Sequence, residues 1–391
     1  MSSRNGGLRL VAGACAIGLG LGVVRFDFAA IGREMLSVGW LEPGGIARLG
    51  GSNLLGYLLG ALHHSRLGDP RQVRRILIWA VVVVVCSLWL EAIRGAVVWQ
   101  EIWRLLAGWG SGHLMAGAPS IALAGMAGIA RRRGTGIVMS GGGIGAIMGA
   151  FAVGTLAPAA PATGWLVLAS LASLLAVPVI WMLCSVTPEL QATPSAPSPT
   201  PSPLPTGGSG RRQSLRALTA GYLLLGAAQV PVVLYTPLLV SRRLALSPAL
   251  SSEFLSILGL GCALGALMAA SVPKAYPTRL LLPLASLVGL AGSVCLLFGT
   301  SLAVIGLAAF LSGMWVWLIV PFTFDRLQEL VAPHLHRRQW AWLTTLLGTG
   351  FMAFAFLCAP LAAHHLKAVL VLAVALMVLH VGMEVLQARE A

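Results

Sequence analysis

Apolar residues in this chain of 391 residues run in long blocks, and short polar or basic segments separate the blocks. About 20 consecutive apolar residues span the hydrocarbon core of a bilayer as a helix. We therefore interpret twelve of the blocks as transmembrane helices. The predicted spans are residues 8–36, 45–63, 75–93, 97–129, 134–160, 163–184, 216–240, 250–272, 279–298, 301–325, 338–362 and 366–387.

The composition places the chain in lipid. It is 57% hydrophobic and 10% charged, with a mean hydropathy of +0.87, whereas soluble proteins carry about 25% charged residues. The predicted fold class is an all-α integral membrane protein.

The basic residues give a formal net charge of +14, but they follow the loops and form no single patch. With the N-terminus in the cytoplasm, eighteen of the 26 Lys and Arg residues fall inside and six outside, while Arg25 and Arg104 lie within the membrane. This bias follows the positive-inside rule, and basic loops bind anionic lipid headgroups. We predict a multi-pass protein of the cell inner (plasma) membrane, with both termini cytoplasmic, membrane lipid as a partner and no nucleic acid.

One segment breaks the apolar pattern between spans six and seven. Residues 187–212 read TPELQATPSAPSPTPSPLPTGGSGRR, and such a Pro- and Ser-rich sequence favours an extended, flexible linker. We predict an N-terminal six-helix bundle at residues 1–186, a cytoplasmic linker at 187–214 and a C-terminal six-helix bundle at 215–391. The alternative is a docking segment with its own partner.

A displacement of 205 residues relates the two apolar halves. It carries Gly56-Tyr-Leu-Leu-Gly60-Ala-Leu62 onto Gly261-Cys-Ala-Leu-Gly265-Ala-Leu267, Gly108 onto Gly313, and Gly145 onto Gly350. Internal repeats of this size in an apolar chain are typical of transporters built from two related halves around a central site. The offset predicts two six-helix pseudo-repeats and a function in solute transport.

Four short stretches carry a resemblance to a known family. They are Val24-Arg25-Phe26 in span one, Ser52-Asn53 and the glycine motif that follows in span two, Arg104-Leu-Leu-Ala-Gly108 in span four, and Ser140-Gly141-Gly142-Gly143 in span five. Together with the six-plus-six pattern of spans, they resemble the YbfB/YjiJ-type branch of the major facilitator superfamily.

The resemblance implies an architecture. Spans one, four, seven and ten should line a central cavity, while span two packs on span eleven and span five on span eight. The glycine-rich spans two, five, eight and eleven are these interface spans, and small residues let helices approach closely in lipid. One departure lies in the loop after span two, where His63 or His64 stands near the family's usual Asp and Asp69 lies further on.

Charged side chains inside a bilayer are costly and mark pathways, proton relays or counter-ions. Arg25 and Asp27 lie near the middle of span one, and Glu101 and Arg104 lie three residues apart in span four, on one face of the helix. We predict that Arg25 and Arg104 bind an anionic substrate. We predict proton coupling through Asp27 and Glu101. The alternatives are a static Glu101–Arg104 ion pair and a counter-ion role for Asp27.

The second half offers aromatic and amide side chains where the first half offers charge. The candidate substrate-binding residues there are Gln229 and Tyr235 in span seven, and Trp315 and Trp317 in span ten. Charge on one wall and aromatic rings on the other would suit a small organic anion with an apolar or ring portion. The alternative is that these Trp residues face lipid or the membrane interface, where Trp is common.

Other chemistry is not indicated by the sequence. The six cysteines lie within predicted spans and form no CxxC pair, and the chain carries no HExxH or Walker motif. We expect no metal, no cofactor and no enzymatic activity. His113 should pack against a neighbouring helix, and Glu384 should lie near a span end in contact with water.

The predicted function is secondary active transport of a small organic solute, with an organic anion and proton coupling favoured. It would proceed by alternating access in a monomer, as symport or antiport. A multidrug efflux transporter and a non-transporting receptor or scaffold are the alternatives.

The topology can be tested with accessibility tags. Tags at residue 200 and at both termini should be cytoplasmic, because the basic loops are retained inside, and a tag between Arg242 and Pro248 should be external. Labelling of intact cells with an impermeant reagent measures this. A tag at residue 200 that reacts from outside would contradict the six-plus-six arrangement.

Overall fold

The computed structural model describes residues 3–26, 28–42, 45–156, 161–185, 209–236, 243–244, 248–273 and 275–389, and the side chains of Arg25 and Tyr235 also lie outside this description. Regular structure in these ranges is helical throughout. Asp27 and residues 187–208 of the predicted linker lie outside the described residues.

The helices follow the predicted spans closely. The first half of the chain forms α1 (Ser3–Ile17), a π-helical segment (Gly18–Phe26), α2 (Phe28–Ser37), α3 (Gly45–Arg66), α4 (Pro70–Glu91), α5 (Val97–Ala122), α6 (Gly128–Leu156) and α7 (Pro161–Ser185). The second half forms α8 (Ser209–Val230), a π-helical segment (Pro231–Tyr235), α9 (Pro248–Ser271), α10 (Thr278–Phe298), α11 (Leu302–Leu330), α12 (Pro333–His364) and α13 (Leu366–Arg389). Span one, predicted as one continuous helix, is therefore interrupted by a wider π-helical turn, which alters its backbone hydrogen bonding.

Nine helices of the described chain are long and apolar enough to cross a bilayer, so the protein is a multi-pass membrane protein. The predicted spans two, four and eight are helical too, as α3, α5 and α9, but they are not among the nine. Polar side chains such as His63, His64, Glu101 and Arg104 lower the apolar character of α3 and α5.

The described residues fall into two compact units. Unit 1 lies within Met1–Ala124 and Ile137–Ala192, and unit 2 within Gly125–Gly136 and Thr193–Ala391. Residues 125–136 therefore group with unit 2, although the predicted first domain included them. Within unit 2, Arg132 pairs with Asp325 at 3.2 Å and donates to the Thr278 hydroxyl at 3.1 Å, and Gly136 lies against the carbonyl oxygen of Ala266.

The predicted linker is also shorter than 187–214 at its C-terminal end, because α8 begins at Ser209. Arg211 in the first turn of α8 donates to the carbonyl oxygen of Leu330 at 2.8 Å, which ties the start of this helix to the end of α11.

Helix pairs in unit 1 have counterparts about 205 residues later in unit 2. In unit 1, α5 packs on α1, α3 and α4, and α7 packs on α1 and α4. In unit 2, α11 packs on α8, α9 and α10, and α13 packs on α8 and α10.

Single glycine contacts repeat with the same displacement. A Cβ atom at Gly56 would overlap the carbonyl oxygen of Leu105, and one at Gly261 would overlap the carbonyl oxygen of Phe310. Three more contacts have partners at this offset: Gly60–Trp109 with Gly265–Met314, Gly108–Asn53 with Gly313–Leu258, and Gly145–Gly18 with Gly350–Leu223.

These contacts correct the expected role of the span-two glycines. Gly56 and Gly60 lie against the backbone of α5 in their own unit. Packing of span two on span four therefore accounts for the absence of a side chain at these two positions. Backbone contact of this kind is a main source of helix association in lipid, where no hydrophobic force acts between helices.

Alanine at these positions should separate helices. Gly56→Ala and Gly261→Ala should each lower the free energy of unfolding by about 1–3 kcal/mol, because a backbone carbonyl cannot turn aside as a side chain can. Gly50→Ala and Gly51→Ala are matched controls, since a Cβ at either position meets nothing within 4 Å. Thermal unfolding in nanodiscs measures the difference, and equal midpoints for all four variants would contradict the packing role.

Candidate functional site

Arg104 of α5 is a cation buried inside unit 1, with 1% of its surface exposed. Its Nη2 donates to the carbonyl oxygen of Val24 at 2.8 Å, and its Nη1 lies 3.4 Å from Oε2 of Glu91. Glu91, the last residue of α4, is also fully buried. The pair thus joins α4, α5 and the first π-helical segment.

Two aromatic rings complete the surroundings of the guanidinium. The Cζ atom of Arg104 lies 4.6 Å from the centre of the Phe28 ring and 5.6 Å from that of Trp165, and the two rings are stacked at 6.2 Å. Cation–π attraction replaces part of the lost hydration of a buried cation. We call Arg104, Glu91, Val24, Phe28 and Trp165 the Arg104 site.

Neighbouring amides fix the backbone around the Arg104 site. Asn53 of α3 donates from Nδ2 to the carbonyl oxygen of Arg104 at 3.0 Å, close to the contact between Gly108 and the Asn53 carbonyl. Gln100 donates from Nε2 to the carbonyl oxygens of Glu91 at 3.2 Å and Ile93 at 3.0 Å, across the turn between α4 and α5.

Hydrogen-bonding capacity is left over at this site. Nε of Arg104, Oε1 of Glu91 and Oε1 of Gln100 are buried without a hydrogen-bond partner among the described residues. The Arg104–Glu91 distance of 3.4 Å exceeds the roughly 2.7–2.9 Å of a strong charge-assisted bond. A buried ion pair with loose geometry stabilises a protein little. The unpartnered atoms of Arg104, Glu91 and Gln100 are therefore free to bind a polar group of a ligand.

The alternative of a static ion pair between Glu101 and Arg104 is wrong, because each side chain has another partner. Glu101 binds Arg48 of α3 through two bonds, Nε to Oε1 at 2.7 Å and Nη2 to Oε2 at 3.1 Å, near the surface. Residues three apart on a helix are offset by about 60°, which is enough to turn Arg104 inward and Glu101 towards Arg48. Arg25 follows Val24 in the π-helical segment, but its side chain, like Asp27, lies outside the described residues.

The predicted residues of unit 2 are held by contacts inside that unit. Trp315 is buried and donates from Nε1 to Nε2 of His380 at 3.3 Å, while Nδ1 of His380 lies 2.9 Å from the Gly221 carbonyl oxygen. Since the indole can only donate, Nε2 accepts and this His is neutral with its hydrogen on Nδ1. Trp317 is buried as well.

Gln229 is buried and donates to the carbonyl oxygen of Leu225 in its own helix at 3.1 Å. Tyr235 lies at the end of the second π-helical segment, with its side chain outside the described residues. The substrate-binding role of Gln229, Tyr235, Trp315 and Trp317 stays a prediction.

Sequence reasoning missed Glu91 as the partner of Arg104. The available signal was an acidic residue inside the apolar block 75–93. It also treated His63, His64 and His113 separately, although their rings are in contact. The expectation that Glu384 meets water is wrong, because this side chain is fully buried in unit 2.

The Arg104–Glu91 pair predicts a stability difference between two glutamates. Glu91→Gln should lower the free energy of unfolding by about 3–5 kcal/mol, because a buried cation loses its counter-charge. Glu101→Gln, the matched control, removes a surface pair and should cost at most about 1 kcal/mol. Adding Arg104→Met to Glu91→Gln should recover much of the loss. Equal melting temperatures for the two single variants would contradict the assignment.

Comparisons with known proteins agree with this architecture. The family model of the uncharacterised MFS-type transporter YbfB matches residues 17–387. Among solved structures, the human organic anion transporter MFSD10 (TETRAN) is similar with a TM-score of 0.72 and 16% identity, covering 98% of this chain and 100% of that chain. A search of curated protein sequences finds no significant match.

At 16% identity the solved structure shows a shared fold, while the family match extends over nearly the whole chain. Proteins of this superfamily are transporters of small molecules and not enzymes. The chain therefore belongs to the major facilitator superfamily, in the family of YbfB-type transporters.

Proposed function

We propose that this protein is a secondary active transporter that moves a small organic anion together with a proton by alternating access. The observation that carries the proposal is the buried Arg104–Glu91 pair, a cation and a carboxylate that are each fully enclosed in unit 1 and lie 3.4 Å apart. A neighbour of the same fold is an organic anion transporter by name.

The proposed coupling follows from charge balance. In the resting pair, Glu91 neutralises Arg104. An anion that binds Arg104 can replace this counter-charge only if Glu91 takes up a proton, because an extra negative charge in a dry interior is costly. Proton and anion then bind together, and the site stays neutral in both states.

The geometry of the Arg104 site fits such an exchange. The unpartnered Nε of Arg104 can donate to an anion, and the Phe28 and Trp165 rings offer an apolar face to the non-polar part of a solute. A guanidinium binds a carboxylate or phosphate through two parallel bonds.

The arrangement of the halves is part of the proposal. We infer twelve transmembrane helices in two six-helix repeats, one on each side of the linker that precedes α8, in a monomer of the inner membrane with both termini cytoplasmic. The glycine contacts repeated at the 205-residue offset support it. Arg25, Gln229, Tyr235, Trp315 and Trp317 stay proposed solute contacts, while Asp27 and Glu101 stay proposed proton carriers; Glu91 is tested first because it contacts Arg104.

A thermal-shift screen with the purified protein tests the solute class. Carboxylates, sulfonates and organophosphates with different ring portions should include a stabilising solute, and lipophilic cations should have no effect. Stabilisation by the cations alone would favour multidrug efflux, and a screen without any response, followed by no uptake into proteoliposomes, would favour a receptor or scaffold.

The stabilising anion identified in this screen should raise the melting temperatures of Glu91→Gln and the wild type by different amounts. The variant mimics protonated Glu91, so the anion supplies the missing counter-charge and should raise its melting temperature more than that of the wild type at pH 7.5. Anion affinity of the wild type should increase up to about tenfold per unit fall in pH, since one proton binds with the anion, and this dependence should vanish in Glu91→Gln.

Transport assays complete the test. Folded Glu91→Gln should exchange the anion across a proteoliposome membrane but fail to accumulate it in response to a proton gradient. Glu42→Gln, a change at an exposed carboxylate, is the control and should accumulate it like the wild type. Proton-driven accumulation by Glu91→Gln would refute coupling through Glu91.

A further inference from the structure

Three histidine rings form a hydrogen-bonded row in unit 1, apart from the Arg104 site. Nε2 of His113 in α5 lies 3.2 Å from Nδ1 of His63, and Nδ1 of His113 lies 3.1 Å from Nδ1 of His64. His63 is exposed, whereas His64 is 1% and His113 0% exposed. We call this row the histidine chain, and it leads from the protein surface into the interior.

The close fit of neighbouring residues holds the histidine chain together. The Trp109 ring packs edge to face on His113 at 4.5 Å and lies 6.2 Å from His63. A Cβ atom at Gly117 would overlap Cε1 of His64, so glycine at this position gives the His64 ring its place beside α5.

Hydrogen-bond chemistry gives the histidine chain a direction. In each nitrogen–nitrogen contact one atom carries the hydrogen and the other accepts it. A neutral His113 carries one hydrogen, so it can donate towards His64 while accepting from His63, or the reverse. A metal ion would instead need ring nitrogens that converge on one point, and no such group occurs among the described residues.

We propose that the histidine chain is a proton-binding site that is loaded at His63 and carries the positive charge to His64. A proton adds to the bare Nε2 of His63. The hydrogen on Nδ1 of His63 then moves to Nε2 of His113, and the hydrogen on Nδ1 of His113 moves to Nδ1 of His64. One proton has entered, His63 and His113 are again neutral, and His64 is the cation.

The charged groups on the surrounding helices leave this task to the histidines. α5 carries Glu101 and Arg104, which pair with Arg48 and Glu91 respectively. The other elements that pack on α5 or α3 carry Arg4 and Arg9 in α1, Arg25 in the first π-helical segment, and Arg33 and Glu34 in α2. The remaining charged residues of α3, α4 and the turn between them lie near the polar ends of these helices: Arg66, Asp69, Arg71, Arg74 and Arg75. Use of the bound proton as the coupled one rests on the proposed function, whereas its binding does not.

Nuclear magnetic resonance of the full chain in nanodiscs, labelled with ¹⁵N in the histidine rings, tests the transfer. Removing the exposed ring by His63→Gln should change the tautomer population of His64 and its titration between pH 5 and 8. We then compare His113→Gln with the double variant His63→Gln/His113→Gln. His64 should behave identically in these two proteins, because the ring that connects His63 to His64 is missing from both. His334→Gln, an exposed His in α12, is the control and should leave His64 unchanged.

The outcomes separate transfer from packing. If His64 titrates identically in the wild type and His63→Gln, the proposal is wrong. It is also wrong if the effect of His63→Gln persists without the His113 ring, since adjacency of His63 and His64 along α3 would then explain it. Because His63 is exposed, His63→Gln should fold normally, and an unchanged melting temperature checks this.

A transport assay distinguishes this inference from the proposed function. Suppose that magnetic resonance shows the expected transfer along the histidine chain but the wild type shows no proton-driven uptake. The proposed coupling is then refuted, whereas the proposed proton-binding site is still supported. Where the wild type does couple, His63→Gln should slow proton-driven uptake several-fold while anion exchange stays unchanged.

Discussion

Helices in a bilayer gain nothing from leaving water, so the distance at which their backbones can meet decides how this protein is assembled. In unit 1, α5 carries glycines on several sides: Gly108 and Gly112 face α3, and Gly110 faces α4. These contacts bring α3 and α4 close enough for side chains on three helices to reach one another. The Arg104–Glu91 pair and the histidine chain both depend on this spacing.

The same lack of water explains why polar groups in unit 1 occur as sets. An isolated guanidinium in hydrocarbon is costly, and Arg104 is accommodated through a carboxylate, a carbonyl oxygen and two aromatic rings. His113 uses both ring nitrogens and packs on Trp109. Arg104 and His113 lie nine residues apart on α5, about 13 Å along the helix, so one helix carries residues of both the Arg104 site and the histidine chain.

The sequence was sufficient for the features that depend on local pattern. Apolar blocks predicted the helices, and the 205-residue offset predicted glycine positions whose contacts do repeat, such as Gly56 on Leu105 and Gly261 on Phe310. It was insufficient for the partners of buried charges. Arg104 pairs with a residue on another helix, and the small rotation that sends Glu101 to Arg48 instead is set by packing of α3 on α5, which no spacing along α5 reveals.

The repeat also shows which polar side chains the scaffold common to both units does not require. Backbone contacts of unit 1 recur in unit 2, but the polar residues of the Arg104 site and of the histidine chain in unit 1 do not. The offset carries Arg104 to Ala309, Glu91 to Leu296, His63 to Met268, His64 to Ala269 and His113 to Leu318. The helix contacts that the two units share therefore do not require these side chains, because the equivalent helices of unit 2 pack with apolar residues in their place. A buried charge or histidine that the shared scaffold does not need is costly to retain, which supports the roles proposed for these side chains.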